Sequence, residues 1–245
     1  MLAVIGWGGL AASSLLLGAL LAVVRAWPRR LVGLVLAFGA GALIAAVSFE
    51  LALQGAQLGG TASVAAGLAA GALAYFALDR AIERGGEHLR LRAVTGRRAG
   101  GGLSSALALG AVLDGVPEQL VLGIGLAADP EVNAALLLAI FVSNVPEAVG
   151  SAADMRQAGH PVAAVWRLWV PVAIVCAAAT VAGYAMADVT TGSRGGVVDG
   201  FAAGALLVML IDSMIPAAAE RAGLTAGLAT VLGFAIATAL SFMSV

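Results

Sequence analysis

Long apolar runs, separated by short clusters of arginine, proline or glycine, dominate this chain. A membrane-spanning helix takes about 20 predominantly apolar residues. The pattern therefore predicts an all-α polytopic membrane protein with eight transmembrane helices in one domain over residues 1–245. The predicted spans cover about residues 2–25, 31–54, 61–80, 103–127, 132–152, 163–187, 198–217 and 222–243. The longest connection, 81–102, is rich in glycine and arginine and is predicted to be a cytoplasmic loop.

Composition and charge exclude several classes of protein. The chain is 61% hydrophobic and 11% charged, whereas soluble domains are about 25% charged. Disorder requires low hydrophobicity and high net charge. A net charge of −1 gives no support for nucleic-acid binding through a basic surface.

The single cysteine, Cys176, excludes a disulfide within one chain and a thiolate metal cluster. The first run has no basic leader before it, so we expect a retained helix rather than a cleaved signal peptide.

The arginines predict the orientation of the spans. All 13 basic residues are arginine, and all except Arg194 fall in or beside the odd-numbered connections. Basic residues favour cytoplasmic connections. This distribution predicts that the odd-numbered connections are cytoplasmic and that both termini lie outside.

Two segments of the chain have internal counterparts. Residues 38–44 (FGAGALI) and 201–207 (FAAGALL) share five of seven residues at a separation of 163. Residues 114–118 (DGVPE) of span 4 similarly match 143–147 (SNVPE) of span 5. Weak symmetry with helix-breaking residues at matched places is typical of transporters with a site near the membrane midplane.

Three carboxylates fall inside spans 4 and 5, namely Asp114, Glu118 and Glu147. An ionised carboxylate at membrane depth is costly and is rarely left unpaired. Asp114 and Glu118 are four residues apart and share a helical face. Neither span contains a basic residue, so these groups require either protons or a bound cation.

The prolines before the two glutamates add oxygen atoms. A proline lacks an amide hydrogen, so Pro117 frees the carbonyl of Leu113 and Pro146 frees that of Val142. Ser143 and Asn144 supply neutral oxygen ligands beside Glu147. The pattern indicates an oxygen-rich site for a divalent cation, formed by Asp114, Glu118, Ser143, Asn144 and Glu147. The alternative is a pair of hydrogen-bonded kinks that serve only helix packing, with protonated glutamates.

These segments resemble the fourth and fifth spans of the ZIP family of divalent-metal transporters, whose motifs are His-Asn-x-Pro-Glu and x-[Asn/Asp]-x-Pro-Glu. Eight spans, outward termini and a long connection after span 3 extend the resemblance over nearly the whole chain. It implies that Glu118 and Glu147 bridge the metal ion and that Asn144 is a ligand. It also makes a homodimer in the plasma membrane plausible, which in a bacterium is the inner membrane.

The chain departs from the family pattern in its ligands. Asp114 and Gly115 stand where the family usually has histidine and asparagine, and no predicted span contains histidine. Sites made only of oxygen suit manganese or magnesium better than zinc. The family implies zinc as the transported ion, with manganese, iron, cadmium and magnesium as further candidates.

The sequence thus predicts transport of a divalent cation toward the cytoplasm, with Glu50 and Asp212 as candidate residues of the pathway. No prosthetic cofactor is expected, and the metal ion is the substrate. Two alternatives stay open: a degenerate, non-transporting sensor or scaffold of the same family, and a proton-coupled carrier of another small solute. An intramembrane enzyme is not favoured, because no Gly-x-Gly-Asp segment accompanies Asp114 or Asp212.

Overall fold

The computed structural model describes residues 2–95, 102–128, 134–186 and 193–243. Some side chains within these ranges, including that of Asp114, lie outside the description. All regular structure in the described ranges is helical. When a helix with an internal π-helical segment is counted once, these ranges form eight helices. They are α1 (Leu2–Val24), α2 (Arg29–Gly59), α3 (Thr61–Thr95), α4 (Gly102–Ala128), α5 (Ala134–Gln157), α6 (Val162–Ala185), α7 (Ser193–Met209, Leu210–Met214 and Ile215–Ala222) and α8 (Thr225–Met243).

Seven helices of the described residues are long and apolar enough to cross a membrane, which indicates an integral membrane protein. They are all the helices except α4. In α4 the apolar stretch among residues whose side chains are described is Gly115–Ala127, although the helix itself has 27 residues, Gly102–Ala128. The all-helical membrane architecture is confirmed, while the eighth span stays a prediction.

Helix α3 differs from its predicted extent. Its membrane-spanning part is Thr61–Ala81, close to the predicted 61–80, but the helix continues to Thr95. Most of the segment that was predicted to be a loop is therefore helical. The glycine content of the segment favoured a loop, but a glycine such as Gly85 or Gly86 costs a helix only about 1 kcal/mol. The surrounding arginine, glutamate, leucine and alanine residues are good helix formers.

Prolines and glycines mark the helix ends. Pro28 and Pro161 directly precede α2 and α6, where the missing amide hydrogen of proline costs no helical hydrogen bond. Gly60 and Gly223 follow α2 and α7 with φ values of 83° and 60°. This left-handed backbone favours glycine, and it ends each helix abruptly.

Helices α2 and α7 repeat one another in structure as well as in sequence. Each contains a π-helical segment, which begins at Val47 in α2 and at Leu210 in α7. Both starts lie nine residues after the phenylalanine that opens the sequence match. The glycines that follow the two helices, Gly60 and Gly223, are also 163 residues apart, as the matched segments are. The internal match is therefore a structural repeat.

The helix pairing follows the same repeat. Helix α2 packs along α8, and α7 packs along α3. A Cβ at Gly41 of α2 would overlap the Thr230 carbonyl oxygen of α8, and a Cβ at Gly204 of α7 would overlap the Leu68 carbonyl oxygen of α3. Small residues thus bring the backbones into contact, as expected where lipid removes the hydrophobic drive for helix association. Helix α1 packs on α5 and α6, and α6 packs on α4.

Candidate functional site

The two Val-Pro-Glu segments lie inside continuous helices, Pro117 within α4 and Pro146 within α5. Three polar side chains in or just before these segments are buried. Glu118 and Asn144 are 1% exposed and Ser143 is fully buried. Burying polar groups of this kind costs free energy unless they are hydrogen-bonded or bind a ligand.

A close polar contact joins the two segments. The Ser143 hydroxyl oxygen lies 3.4 Å from Oε1 of Glu118 and 2.9 Å from the carbonyl oxygen of Ile140, one turn earlier in α5. A hydroxyl carries one proton, so the shorter contact to Ile140 is the stronger hydrogen bond. The carboxylate of Glu118 and the hydroxyl of Ser143 therefore lie side by side at the α4–α5 interface.

Asn144 adds an unsatisfied group to this interface. Its Nδ2 is buried and has no hydrogen-bond partner among the described residues. A buried amide without a partner costs about 1–3 kcal/mol. Such a group is typical of a site that is completed by a ligand or by water.

Two neighbouring helices fix the position of the α5 segment through glycines. A Cβ at Gly39 of α2 would lie 2.9 Å from the Cα of Ser143. A Cβ at Gly18 of α1 would overlap the carbonyl oxygen of Val145. Helices α1 and α2 therefore press directly on the backbone of the segment that carries Ser143 and Asn144.

Helix α6 closes the site from the α4 side, through a residue that the sequence did not point to. A Cβ at Gly115 would lie 2.7 Å from Sγ of Cys176, so the thiol occupies the space beside this glycine. Cys176 is fully buried and lies within electrostatic range of Glu118 and Glu147. No sequence signal could have placed it there, because its position depends on how α6 packs against α4.

A second polar pair was missed for a different reason. The Thr180 hydroxyl of α6 donates a hydrogen bond of 2.6 Å to Oε1 of Gln119, and both side chains are fully buried. Gln119 is an amide next to Glu118 in an apolar span, so a sequence signal was present. Its Nε2 has no hydrogen-bond partner within the described part of the chain.

The other predicted site residues lie in different surroundings. Glu147 is partly buried on α5, whereas the side chain of Asp114 lies outside the described residues. Glu50 lies in the π segment of α2 and accepts a 2.7 Å hydrogen bond from Nε2 of Gln54. Asp212 lies in the π segment of α7 and is exposed. Both candidate pathway residues are thus at the irregular turns of the repeat.

The described side chains contain no group of three or more histidine, cysteine, aspartate or glutamate residues that could hold a metal ion. A cation bound at the α4–α5 interface would therefore need neutral oxygen atoms in addition to carboxylates. Such a donor set suits hard divalent ions.

Comparison with known proteins leaves the candidate site as the main guide to function. No protein-family model matches the chain, and no curated protein matches it closely enough to indicate a relative.

Proposed function

We propose that this chain is a membrane transporter that moves a divalent metal cation toward the cytoplasm through the α4–α5 interface. The observation that carries the proposal is the contact between buried Glu118 and Ser143, which brings the two Val-Pro-Glu segments together. A buried carboxylate beside neutral oxygen ligands is the arrangement expected at an ion pathway within a membrane.

The proposal includes a ZIP-like bundle of eight spans, with α4 as the eighth span. It places both termini outside, and the membrane is the plasma membrane, which is the inner membrane in a bacterium. Three observations support this arrangement: the length of α4, the side preference of the arginines, and the repeat of α2 and α7. Structural repeats of this kind permit alternating access, in which one helix group moves against another.

Each residue has a distinct role in the proposed site. Glu118 and Glu147 share the ion, and Asp114 and Asn144 complete its shell together with Ser143. The carbonyl groups that the two prolines leave unbonded add further oxygen atoms. Glu50 and Asp212 are steps on the pathway, because each is an acidic residue at a π segment, and such segments are frequent at functional sites.

The identity of the cation follows from the ligands and from the family resemblance together. The oxygen donors favour manganese or magnesium, whereas resemblance to the ZIP family favours zinc, with iron and cadmium as further candidates. A homodimer is part of the same proposal, by resemblance alone.

A second function is a proton-coupled carrier of another small solute. It is favoured by the absence of a three-residue metal group among the described side chains. In this case buried Glu118 exchanges a proton rather than a metal ion. A non-transporting sensor or scaffold is the third outcome that the experiment below distinguishes.

Uptake by the purified protein in proteoliposomes tests the proposal. Zinc, manganese, iron and cadmium are offered separately to the wild-type chain and to Glu118→Gln and Glu147→Gln. The matched control is Glu220→Gln, which changes the same atoms in an exposed ion pair 3.6 Å from Arg29. We expect uptake of at least one ion, a loss of about tenfold or more in the two site variants, and no change in the control.

Three results would contradict the proposal. If the wild-type protein binds divalent ions but moves none, it is a sensor or scaffold. If it moves protons with another solute and no metal ion, it is a proton-coupled carrier. If both site variants match the wild type, the proposed site is in the wrong place.

A further inference from the structure

One arginine at the end of α7 lies directly on the helix that carries Glu147. A Cβ at Gly150 of α5 would lie 2.8 Å from Cζ of Arg221, so the guanidinium group fills the space where Gly150 has no side chain. The Arg221 side chain is only 18% exposed, although it belongs to the last turn of its helix. The guanidinium group therefore occupies a packed position between helices and is not a solvated side chain at a helix end.

The position is fixed from two further sides. The guanidinium group lies 3.8 Å from a carboxylate oxygen of Asp154 on α5. At its base, a Cβ at Gly33 of α2 would lie 2.6 Å from Cβ of Arg221. Arg221 therefore connects the end of α7 to α2 and α5 at the end of the bundle where α2 begins.

The register of α5 relates this arginine to the proposed metal site. Glu147, Gly150 and Asp154 follow one another at intervals of three and four residues, so they lie on one face of the helix. The guanidinium group lies over the middle of these three positions. A cation that leaves Glu147 along this face toward Asp154 must pass it.

We propose that Arg221 is the inner gate of the transport pathway: its guanidinium group, seated on Gly150, closes the cytoplasmic exit from Glu147. The inference rests on the proposed function, because it assumes that a cation leaves by this end. A positive charge in a restricted passage repels a cation as well as obstructing it. Opening requires that α7 or the Arg221 side chain move away from α5.

The ion pair with Asp154 is the weaker part of this closure. Asp154 is 57% exposed, and exposed ion pairs contribute little because water and salt screen them. The guanidinium group is held mainly by its packing against Gly150, because the missing side chain of this glycine leaves room for it. Removing the charge of Asp154 is therefore expected to matter less than displacing Arg221.

Chemical access to position 147 tests the gate without requiring transport. Glu147→Cys is introduced and labelled from the cytoplasmic side of inverted membrane vesicles with two membrane-impermeant methanethiosulfonate reagents, one cationic and one anionic. The wild-type chain gives the background rate of labelling, because its only cysteine, Cys176, is fully buried. Variants at Arg221, Gly150 and Asp154 are compared in the Glu147→Cys chain.

The gate predicts an order of labelling rates that depends on the charge of the reagent. Arg221→Ala is expected to accelerate the cationic reagent about tenfold and the anionic reagent less, because removing one positive charge favours only the cation electrostatically. Gly150→Ala displaces the guanidinium group and accelerates both reagents, whereas Arg221→Lys keeps most of the closure. Asp154→Asn changes the rates by about twofold or less. Arg29→Ala, which removes an exposed arginine at the same end, leaves them unchanged.

Equal rates for Arg221→Ala, Gly150→Ala and the parent Glu147→Cys chain would overturn the gate. So would an equal acceleration of both reagents by Arg221→Ala, which indicates loss of packing rather than of a charged barrier. If Arg221→Ala does not fold, Gly150→Ala and Arg221→Lys decide the matter. Labelling needs no metal ion, so failure of the gate is distinct from failure of the wild-type protein to take up cations.

Discussion

Helix α2 contacts two neighbours through glycines only two residues apart, and the two contacts differ in kind. Gly41 lets the backbone of α8 approach, and Gly204 of α7 repeats this contact with α3. Gly39 instead faces Ser143 of α5, and the position of α7 that corresponds to it holds Ala202. Contacts that occur in both halves form the framework of the bundle, whereas the close approach of Gly39 to Ser143 shapes the candidate site.

The difference explains how a nearly symmetric chain can have an asymmetric site. The repeat places matching π segments, helix ends and helix pairs in the two halves. The site depends on side chains that the repeat does not share, since Ser143 and Asn144 in α5 correspond to Asp114 and Gly115 in α4. Substitutions in the framework are therefore expected to change stability, and those at the site to change transport.

The largest expected effect is on the framework. Gly41→Ala and Gly204→Ala force a methyl group into a backbone carbonyl and should each lower the free energy of unfolding by about 1–3 kcal/mol. Thermal or denaturant unfolding of the detergent-solubilised protein measures the change. Gly6→Ala and Gly227→Ala are matched controls, because nothing lies within 4 Å of a Cβ at either position. A control that is as destabilised as Gly41→Ala would show that the backbone contacts are not responsible.

A smaller and more selective effect is expected at Gly39. In Gly39→Ala the added methyl group displaces Ser143 from its place beside Glu118, so cation uptake should fall about tenfold, the scale of a disturbed ligand support. Proteoliposome uptake and unfolding are measured on the same preparation. Loss of uptake should exceed that of Gly41→Ala when both are compared at equal amounts of folded protein. If Gly39→Ala transports normally, the assignment of this face to the site is wrong.

The smallest expected effect concerns the Gln119–Thr180 pair. Thr180→Val removes the hydroxyl donor and leaves Oε1 of Gln119 buried without this hydrogen bond. Hydrogen bonds between membrane helices average less than about 1 kcal/mol, whereas a buried unsatisfied group costs more. The substitution should therefore destabilise the protein by about 1 kcal/mol. Gln119→Leu combined with Thr180→Val should restore most of the loss. A double variant that is no more stable than Thr180→Val would indicate that this bond is not what joins α4 to α6.

Much of the architecture could be predicted because it depends on local sequence. The apolar runs locate the helices, and Pro28, Gly60, Pro161 and Gly223 mark their ends through backbone chemistry that each residue imposes by itself. The continuation of α3 to Thr95 was missed because the glycine-rich composition of the segment favoured a loop, although the cost of each glycine is small against a helix of that length.

The site was predictable only in part, for a physical reason. Glu118 stood out because a carboxylate is costly within an apolar span, and Ser143 because it offers a neutral oxygen beside the second Val-Pro-Glu segment. The structure brings these two together. The thiol of Cys176 beside Gly115 and the guanidinium group of Arg221 on Gly150 depend on contacts between helices far apart in sequence. Periodicity along one helix carries no information about such contacts.

Anomalous scattering from crystals soaked with manganese or cadmium tests whether a cation binds between α4 and α5, because it locates a bound cation without assuming transport. We expect a peak at the α4–α5 interface within ligand distance of the Glu118 carboxylate, with Glu147 and oxygen atoms of Ser143 or Asn144 as further ligands, and its loss in Glu118→Gln. A cation found only at an exposed carboxylate such as Glu220, or no peak beside Glu118 in a well-ordered crystal, would contradict a cation site between α4 and α5.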